Sequence, residues 1–182
     1  MRFVIDTSSL ISLVRYYLPF DRDKHLFSFI ESKIKSKEII ILDKVEEECR
    51  YFSNGIVVKT LAYVSEKKYQ LKTTDLLPNK AFFNMLENQF LNTSRRKLLN
   101  DAEFESRKDE YLESADAKLL LIALQENKKI DGDLIVVTEE TKASNDNKTF
   151  KKLPTICEML KIECLTLPEL IEKLEGISFE IT

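Results

Sequence analysis

Four short, mostly apolar runs alternate with stretches of helical periodicity along this chain. The runs are Arg2 to Ile5, Ile39 to Leu42, Leu134 to Thr138 and Glu163 to Leu167. Short continuous apolar runs are typical of strands buried on both faces, and their alternation with helices is typical of a parallel sheet. We therefore predict an α/β protein with three α/β/α layers around a central parallel sheet of about four or five strands.

The helical patterns between these runs predict one domain over residues 1–182. We expect helices from Asp6, from about Lys24 to Ser36, from near Asp43, from Glu113 or Ser114 to about Asn127, from Pro154 to Met159, and from Pro168. A polar loop precedes Pro154. Residues 53–112 have a helical pattern throughout, which predicts a helical insertion without strands.

Composition restricts both the location and the chemistry of the protein. The longest apolar run, Leu119 to Leu124, is far shorter than the roughly 20 residues that span a bilayer. The first residues lack the pattern of a signal peptide, so we expect a cytoplasmic protein. The three cysteines form no C-x-x-C pair and are expected to be buried, reduced thiols. The single histidine, His25, is interpreted as incidental, which leaves no support for histidine-based catalysis or a His-rich zinc site.

The most informative residues are acidic. Asp6 directly follows the first predicted strand, where it acts either as a helix N-cap or as part of a functional site. Asp116 lies in the first turn of a strongly apolar helix and shares its inward face, so it is either a favourable partner of the helix dipole or a site residue. Glu139 and Glu140 follow the third strand, at the edge where ligands bind in parallel sheets.

A run of three glutamates follows the second strand. Val45 and Phe52 are apolar and lie three and four residues from Glu48, which predicts that Glu48 faces inward while Glu46 and Glu47 point to solvent. A glutamate on an inward face requires a cation or a hydrogen-bond donor.

Carboxylates gathered at one sheet edge repel one another unless a cation binds between them. Oxygen ligands without histidine or paired cysteine favour Mg²⁺ or Mn²⁺ over Zn²⁺. We therefore predict a divalent-metal site. Its predicted ligands are Asp6, Glu48, Asp116, Glu139 and Glu140.

Four segments that carry these acids resemble the acidic motifs of PIN-domain nucleases. They are Phe-Val-Ile-Asp-Thr-Ser-Ser-Leu-Ile (3–11), Val-Glu-Glu-Glu-Cys (45–49), Ala-Asp-Ala-Lys-Leu-Leu-Leu-Ile-Ala-Leu (115–124) and Val-Val-Thr-Glu-Glu (136–140). The resemblance implies a PIN-like fold in which Asp6, Glu48, Asp116 and Glu140 are the catalytic acids. Ser8 is the hydroxyl of the D-x-S element on that basis, and we expect it to contact substrate. The family's fourth motif commonly reads T-x-D, and Glu140 departs from it by one methylene.

The resemblance also implies a function. PIN-domain nucleases hydrolyse RNA phosphodiester bonds with Mg²⁺ or Mn²⁺, so this chain is expected to be a metal-dependent endoribonuclease. Residues 153–164 resemble the tail of a bacterial PIN-like group related to the toxins of toxin–antitoxin pairs. The partners to be expected on that basis are RNA and an antitoxin protein. A second copy of the chain is a further possible partner, and the short apolar runs predict no association with a membrane.

A net charge of −3 requires that any binding of nucleic acid be local. The predicted phosphate contacts are Lys142, Lys148, Lys151 and Lys152 beyond the fourth motif, and Arg95 and Arg96 in the insertion. Solvated surface charges are the alternative for each group.

Two other enzyme classes do not fit. Haloacid-dehalogenase-like phosphatases need D-x-D where this chain has Ser8 at the second position, and a Rossmann domain needs an early glycine-rich turn, whereas the first glycine is Gly55. A non-catalytic PIN-like module that binds RNA or protein remains the alternative. In that case the acids are only helix caps, and the insertion docks a partner.

Overall fold

A five-stranded parallel sheet forms the centre of the molecule in the computed structural model, which describes residues 1–129, 132–142 and 148–177. The strand order is β3-β2-β1-β4-β5 and every neighbouring pair is parallel. The strands are β1 (Arg2–Ile5), β2 (Ile39–Leu42), β3 (Gln70–Leu71), β4 (Leu134–Val137) and β5 (Cys164–Leu165). Helices flank the sheet, which confirms the predicted three-layer α/β/α class and the number of strands.

The helices follow the predicted alternation. They are α1 (Thr7–Ser12), α2 (His25–Lys35), α3 (Asp43–Tyr51), α4 (Ile56–Thr60), α5 (Lys80–Asn88), α6 (Thr93–Arg96), α7 (Asp101–Leu112), α8 (Ala115–Glu126), α9 (Leu153–Leu160) and α10 (Leu167–Lys173). A π-helical turn, Leu13–Tyr17, extends α1. None of these helices is both long and apolar enough to traverse a membrane.

The register of the central strands determines which residues meet at the carboxyl edge of the sheet. Ile5 of β1 pairs with Val137 of β4, so the residues that follow them, Asp6 and Thr138, lie side by side. The strands β2 and β4, and all of β1 except Arg2, are buried. Apolar strands held between two helical layers therefore present their polar C-terminal neighbours at one edge.

The insertion differs from the sequence prediction in one respect. Gln70 and Leu71 form β3, which pairs with Ile41 and Leu42 of β2, so the prediction of no strand in residues 53–112 was wrong. Two partly exposed residues on an edge strand carry no apolar run that could signal them. The fourth predicted strand is also shorter than expected, since β5 contains only Cys164 and Leu165.

Backbone hydrogen bonds connect the insertion to the segment that precedes α9. Asn92 donates to the Thr149 carbonyl at 2.9 Å, Lys151 donates to the Phe90 carbonyl at 2.8 Å, and Leu91 forms an antiparallel bridge with Phe150. These contacts bring the insertion next to the carboxyl edge of the sheet. Part of the predicted polar loop, residues 143–147, lies outside the described residues.

The cysteine prediction holds with one exception. All three thiols are free, and Cys49 and Cys157 are buried, but Cys164 is only half-buried. Its strand, β5, lies at the edge of the sheet, where one side of the strand has no neighbour.

Candidate functional site

Asp6 is the most deeply buried acid at the carboxyl edge. It caps α1 through a 2.7 Å hydrogen bond from the Thr7 amide to Oδ1. Its Oδ2 accepts hydrogen bonds from the Ser8 hydroxyl at 2.6 Å and the Thr138 hydroxyl at 2.8 Å. Burial raises the pKa of Asp6. The hydrogen bonds from the two hydroxyls oppose this shift, and the charge of Glu140 adds to it. Asp6 is therefore a helix cap and part of an acidic cluster at once.

Glu48 lies on α3, and its side chain faces the starts of two other helices. Its Oε2 accepts a hydrogen bond from the Thr7 hydroxyl at 2.8 Å, and its Oε1 accepts one from the Ala115 amide at 3.3 Å. Burial raises its pKa, and Asp6 adds to that shift. The predicted inward orientation of Glu48 thus places it between α1 and α8.

The other predictions for this glutamate run were partly wrong. Glu46 is buried, and its Oε1 accepts hydrogen bonds from Arg50 and from Ser65, both at 2.8 Å. Phe52, expected on the inner face, lies beyond the end of α3 and is 56% exposed. A turn of the insertion, Ala62–Ser65, covers the side of α3 that the sequence assigned to solvent. Glu47 is exposed as predicted.

Asp116 lies in the first turn of α8, whose N-cap is Ser114. Its pKa is raised to about 8, chiefly by burial, then by the charges of Asp6 and Glu140, with a smaller contribution from Glu48 and an opposing one from Lys148. The charges of the other three carboxylates therefore all act on Asp116. We call Asp6, Glu48, Asp116 and Glu140 the acidic cluster.

The structure separates the two glutamates that follow β4. Glu140 accepts hydrogen bonds from Lys148 at 3.0 Å and from the Leu153 amide at 3.1 Å, and it contributes to the pKa shifts of Asp6 and Asp116. Glu139 instead accepts a 2.6 Å hydrogen bond from the Leu167 amide at the start of α10. Glu139 therefore belongs to the cap of α10, and Glu140 is the fourth member of the cluster.

The donor set of the acidic cluster suits a hard divalent cation, because it consists of carboxylate oxygens and the pKa values of Asp6, Glu48 and Asp116 are raised. The charge of Lys148 opposes that shift for Glu48 and Asp116. As the described side chains stand, no three or more Asp, Glu, His or Cys residues are placed to hold a metal ion. Asp6, Glu48 and Glu140 each have both oxygens in hydrogen bonds within the protein. The residues fit a cation in chemistry and charge, and the side chains would have to turn to ligate it.

A cleft of about 510 Å³ opens beside Asp116, between the insertion and the segment before α9. Cationic side chains dominate its charged lining, with Glu110 and Asp116 as the acids. The cations are Arg95, Arg107, Lys148 and Lys151. Across the described chain the side chain of Arg95 makes no ion pair, whereas Arg107 pairs with Glu110 at 3.0 Å. We call this feature the cationic cleft.

The predicted phosphate contacts divide into two groups. Arg95, Lys148 and Lys151 line the cationic cleft. Arg96 does not, because its guanidinium lies over the Phe104 ring at 4.3 Å and pairs with Asp101 at 2.8 Å. Lys142 pairs with Glu158 at 2.9 Å in a separate cleft. The remaining predicted contact, Lys152, precedes α9 and is not part of the lining.

Ser8 is partly exposed, and its hydroxyl makes contacts within the protein. Its hydroxyl donates to Asp6, lies 3.1 Å from the Thr138 hydroxyl and accepts a hydrogen bond from the Glu139 amide at 3.0 Å. These contacts hold Asp6 and the segment after β4 in place, and the contact of Ser8 with substrate stays a prediction.

Sequence reasoning missed four residues of this region. Thr7 and Thr138 supply hydroxyls to the cluster, while Arg107 and Tyr111 line the cationic cleft. Thr7 and Thr138 follow buried strands, and that position could have signalled them. Arg107 and Tyr111 lie in the insertion. No local pattern in the sequence indicates that the end of α7 lies beside Asp116 in the cationic cleft.

Comparison with known families places the chain without assigning it an activity. Residues 3–178 match the family described as Domain of unknown function (DUF4411). The chain belongs to this family. No curated protein and no solved structure matches it. The acidic cluster and the cationic cleft of this DUF4411 protein therefore have to be interpreted from their own chemistry.

Proposed function

We propose that this DUF4411 protein is a metal-dependent endoribonuclease, as its resemblance to PIN-domain nucleases implies. The observation that carries the proposal is the junction of the acidic cluster with the cationic cleft at Asp116, which lines the cleft and belongs to the cluster. Adjacent sites for a cation and for phosphates are what phosphodiester hydrolysis requires.

Each part of the junction has a task in this proposal. A divalent ion bound in such a site polarises a phosphoryl oxygen and lowers the pKa of a bound water. Asp6, Glu48, Asp116 and Glu140 supply the carboxylates that hold Mg²⁺ or Mn²⁺. Arg95 and Lys151 in the cationic cleft bind phosphates on one side of the scissile bond, which orients the strand.

Lys148 has an additional role because it pairs with Glu140 at 3.0 Å. An ammonium at this position neutralises part of the negative charge of the acidic cluster while no cation is bound. Once a cation is bound, the ammonium would be able to leave Glu140 and pair with a substrate phosphate. Its side chain is 57% exposed, so the pair is weak and readily exchanged.

The test is cleavage of a panel of single-stranded and structured RNAs by purified protein under single-turnover conditions with Mn²⁺. We expect cleavage that EDTA abolishes and that Asp116→Asn reduces by at least about a hundredfold. Asp109→Asn, on the exposed face of α7, is the control and is expected to cleave normally. Full activity in EDTA, or equal activity of both variants, would refute the proposal.

The second candidate is a module that binds RNA without cleaving it. The hydrogen bonds that cap helices through Asp6 and Glu139 favour it, since they give some of the acids a structural purpose. RNA binding through the cationic cleft without turnover in either metal, while Mn²⁺ is bound, would support this alternative.

The proposal includes the setting in which the protein acts. The three free thiols favour a reducing compartment such as the cytoplasm. The resemblance of residues 153–164 to a toxin-related group suggests an antitoxin protein as partner, and a second copy of the chain is the other proposed partner. Co-expression with the product of a small neighbouring gene tests the first, and sedimentation analysis tests the second.

A further inference from the structure

Tyr111 presents an unsatisfied hydroxyl beside the acidic cluster. The hydroxyl oxygen is buried, with less than 1 Å² exposed, and it has no hydrogen-bond partner among the described residues. Buried polar groups are almost always hydrogen-bonded, and those that are not require an explanation. Tyr111 also lines the cationic cleft together with Asp116 and Lys148.

The ring of Tyr111 is held firmly in this position. It packs against Phe150 with ring centroids 4.5 Å apart and planes inclined by 33°. The Tyr111 carbonyl accepts hydrogen bonds from the amide of Ser114 at 3.0 Å and from its hydroxyl at 2.6 Å, and Ser114 is the N-cap of α8. Tyr111 and Asp116 are thus attached to the same α7–α8 junction, and small rotations of the Asp116 side chain change the distance between them.

Asp116 lines the same cleft as the Tyr111 side chain and is an acidic group of that lining. Burial raises the pKa of Tyr111 well above its usual value, and Asp116 is the first of the charged groups that add to this shift, ahead of Cys157 and Glu140. The phenol is therefore a neutral hydrogen-bond donor at neutral pH, and it lies in the same cleft lining as the Asp116 carboxyl.

We propose that Tyr111 is a positioning residue for Asp116, whose carboxylate accepts a hydrogen bond from the Tyr111 hydroxyl when a divalent cation occupies the acidic cluster. Carboxylates that ligate a metal are commonly oriented by such a second hydrogen bond, and loss of the partner typically weakens metal binding 10- to 100-fold. This inference rests on the cation site of the proposed function, but not on catalysis.

The chain contains a matched control. Tyr63 is the other tyrosine whose buried hydroxyl has no partner in the described structure, and burial raises its pKa as well. The charged group that acts on it is Glu31 of α2, not a member of the acidic cluster. Tyr63→Phe therefore removes an equivalent hydroxyl at a site that we expect to be indifferent to cations.

The experiment compares wild type, Tyr111→Phe and Tyr63→Phe in two measurements. Mn²⁺ affinity is measured by titration calorimetry. Binding of Tb³⁺, a hard cation that takes oxygen ligands, is followed by its luminescence sensitised by nearby tyrosine. The protein has 6 tyrosines and no tryptophan, so the sensitised luminescence of Tb³⁺ comes from tyrosine alone.

We expect Tyr111→Phe to bind Mn²⁺ about 10-fold or more weakly and to lose most of the sensitised luminescence, while its cation-free melting temperature does not fall. Tyr63→Phe is expected to match wild type in both measurements. Equal Mn²⁺ affinity in all three proteins would overturn the role of Tyr111 and leave the proposed function intact. Absence of cation binding in wild type would instead refute the cation site, and with it both proposals.

Discussion

The Thr138 hydroxyl donates a 2.8 Å hydrogen bond to Oδ2 of Asp6, across 132 positions of the sequence. The pairing of Ile5 with Val137 in the preceding strands produces this contact, since it places the next residue of each strand side by side. Thr138 itself is 1% exposed, so neither partner can exchange the bond for water. The contact joins the first and fourth segments of the acidic cluster.

Thr138→Val tests the importance of this contact. Valine preserves the shape but removes the donor, which leaves Oδ2 of Asp6 with the Ser8 hydroxyl alone. We expect a loss of about 1–3 kcal/mol in the free energy of unfolding, measured by urea denaturation. Thr141→Val, at an exposed position beyond the cluster, is expected to change it by less than about 0.5 kcal/mol.

The raised pKa of Asp116 predicts a pH dependence of stability without a cation. The carboxyl keeps its proton up to about pH 8 in the folded protein but releases it near pH 4 when unfolded. The folded state therefore binds more protons in this range, so the free energy of unfolding falls as pH rises from about 4 to 8 and levels off above. The fall amounts to about 1.4 kcal/mol per unit of pKa difference, as an upper bound.

Asp116→Asn is expected to reduce that fall, because the amide does not titrate. Urea denaturation at a series of pH values in EDTA measures the effect, with Asp109→Asn as the control that retains the wild-type profile. Parallel profiles for wild type and Asp116→Asn would show that Asp116 is not a main source of the pH dependence.

The two glutamates after β4 are expected to respond differently to amidation. Glu140→Gln removes a member of the acidic cluster, whereas Glu139→Gln alters only the contact with the Leu167 amide. A cation that binds only the folded state stabilises it by about 2.7 kcal/mol at a hundredfold excess over Kd. The Mn²⁺-induced rise in melting temperature is therefore expected to persist in Glu139→Gln and to shrink in Glu140→Gln. A larger loss in Glu139→Gln would reverse this assignment.

Lys148→Gln is expected to change the binding of cations and RNA in opposite directions. It removes the ammonium that pairs with Glu140, so Mn²⁺ has less competition and binds more tightly, while one phosphate contact is lost. Lys142→Gln, whose ammonium pairs with Glu158 elsewhere, is the control. Calorimetry with Mn²⁺ and fluorescence anisotropy with a short RNA measure the two effects. Weaker binding of both ligands would contradict the competition.

Arg95 and Arg96 are neighbours in sequence but are expected to differ in RNA binding. Arg95 lines the cationic cleft, whereas Arg96 packs on Phe104 and pairs with Asp101. Loss of one phosphate contact lowers the slope of log K against log salt concentration by about one. We expect this change for Arg95→Gln and none for Arg96→Gln, in anisotropy titrations at several salt concentrations.

Several properties of this protein could be predicted from its sequence by itself. Strands β1, β2 and β4 are continuous apolar runs, and an apolar run of this kind is a local property that identifies a buried strand. The residues that follow such strands must lie at one edge of a parallel sheet, which is why Asp6 and the pair Glu139 and Glu140 were expected at this edge. The inward position of Asp116 likewise followed from the spacing of its own helix.

Only the tertiary structure decided how the insertion meets this edge. Glu46 is buried because the Ala62–Ser65 turn covers it. Arg95 lines the cationic cleft. Arg96 does not, because its guanidinium packs on Phe104 and pairs with Asp101. Tyr111 packs on Phe150 and lines the cationic cleft together with Asp116. These outcomes depend on contacts between segments far apart in the chain, and the periodicity within a segment carries no information about them.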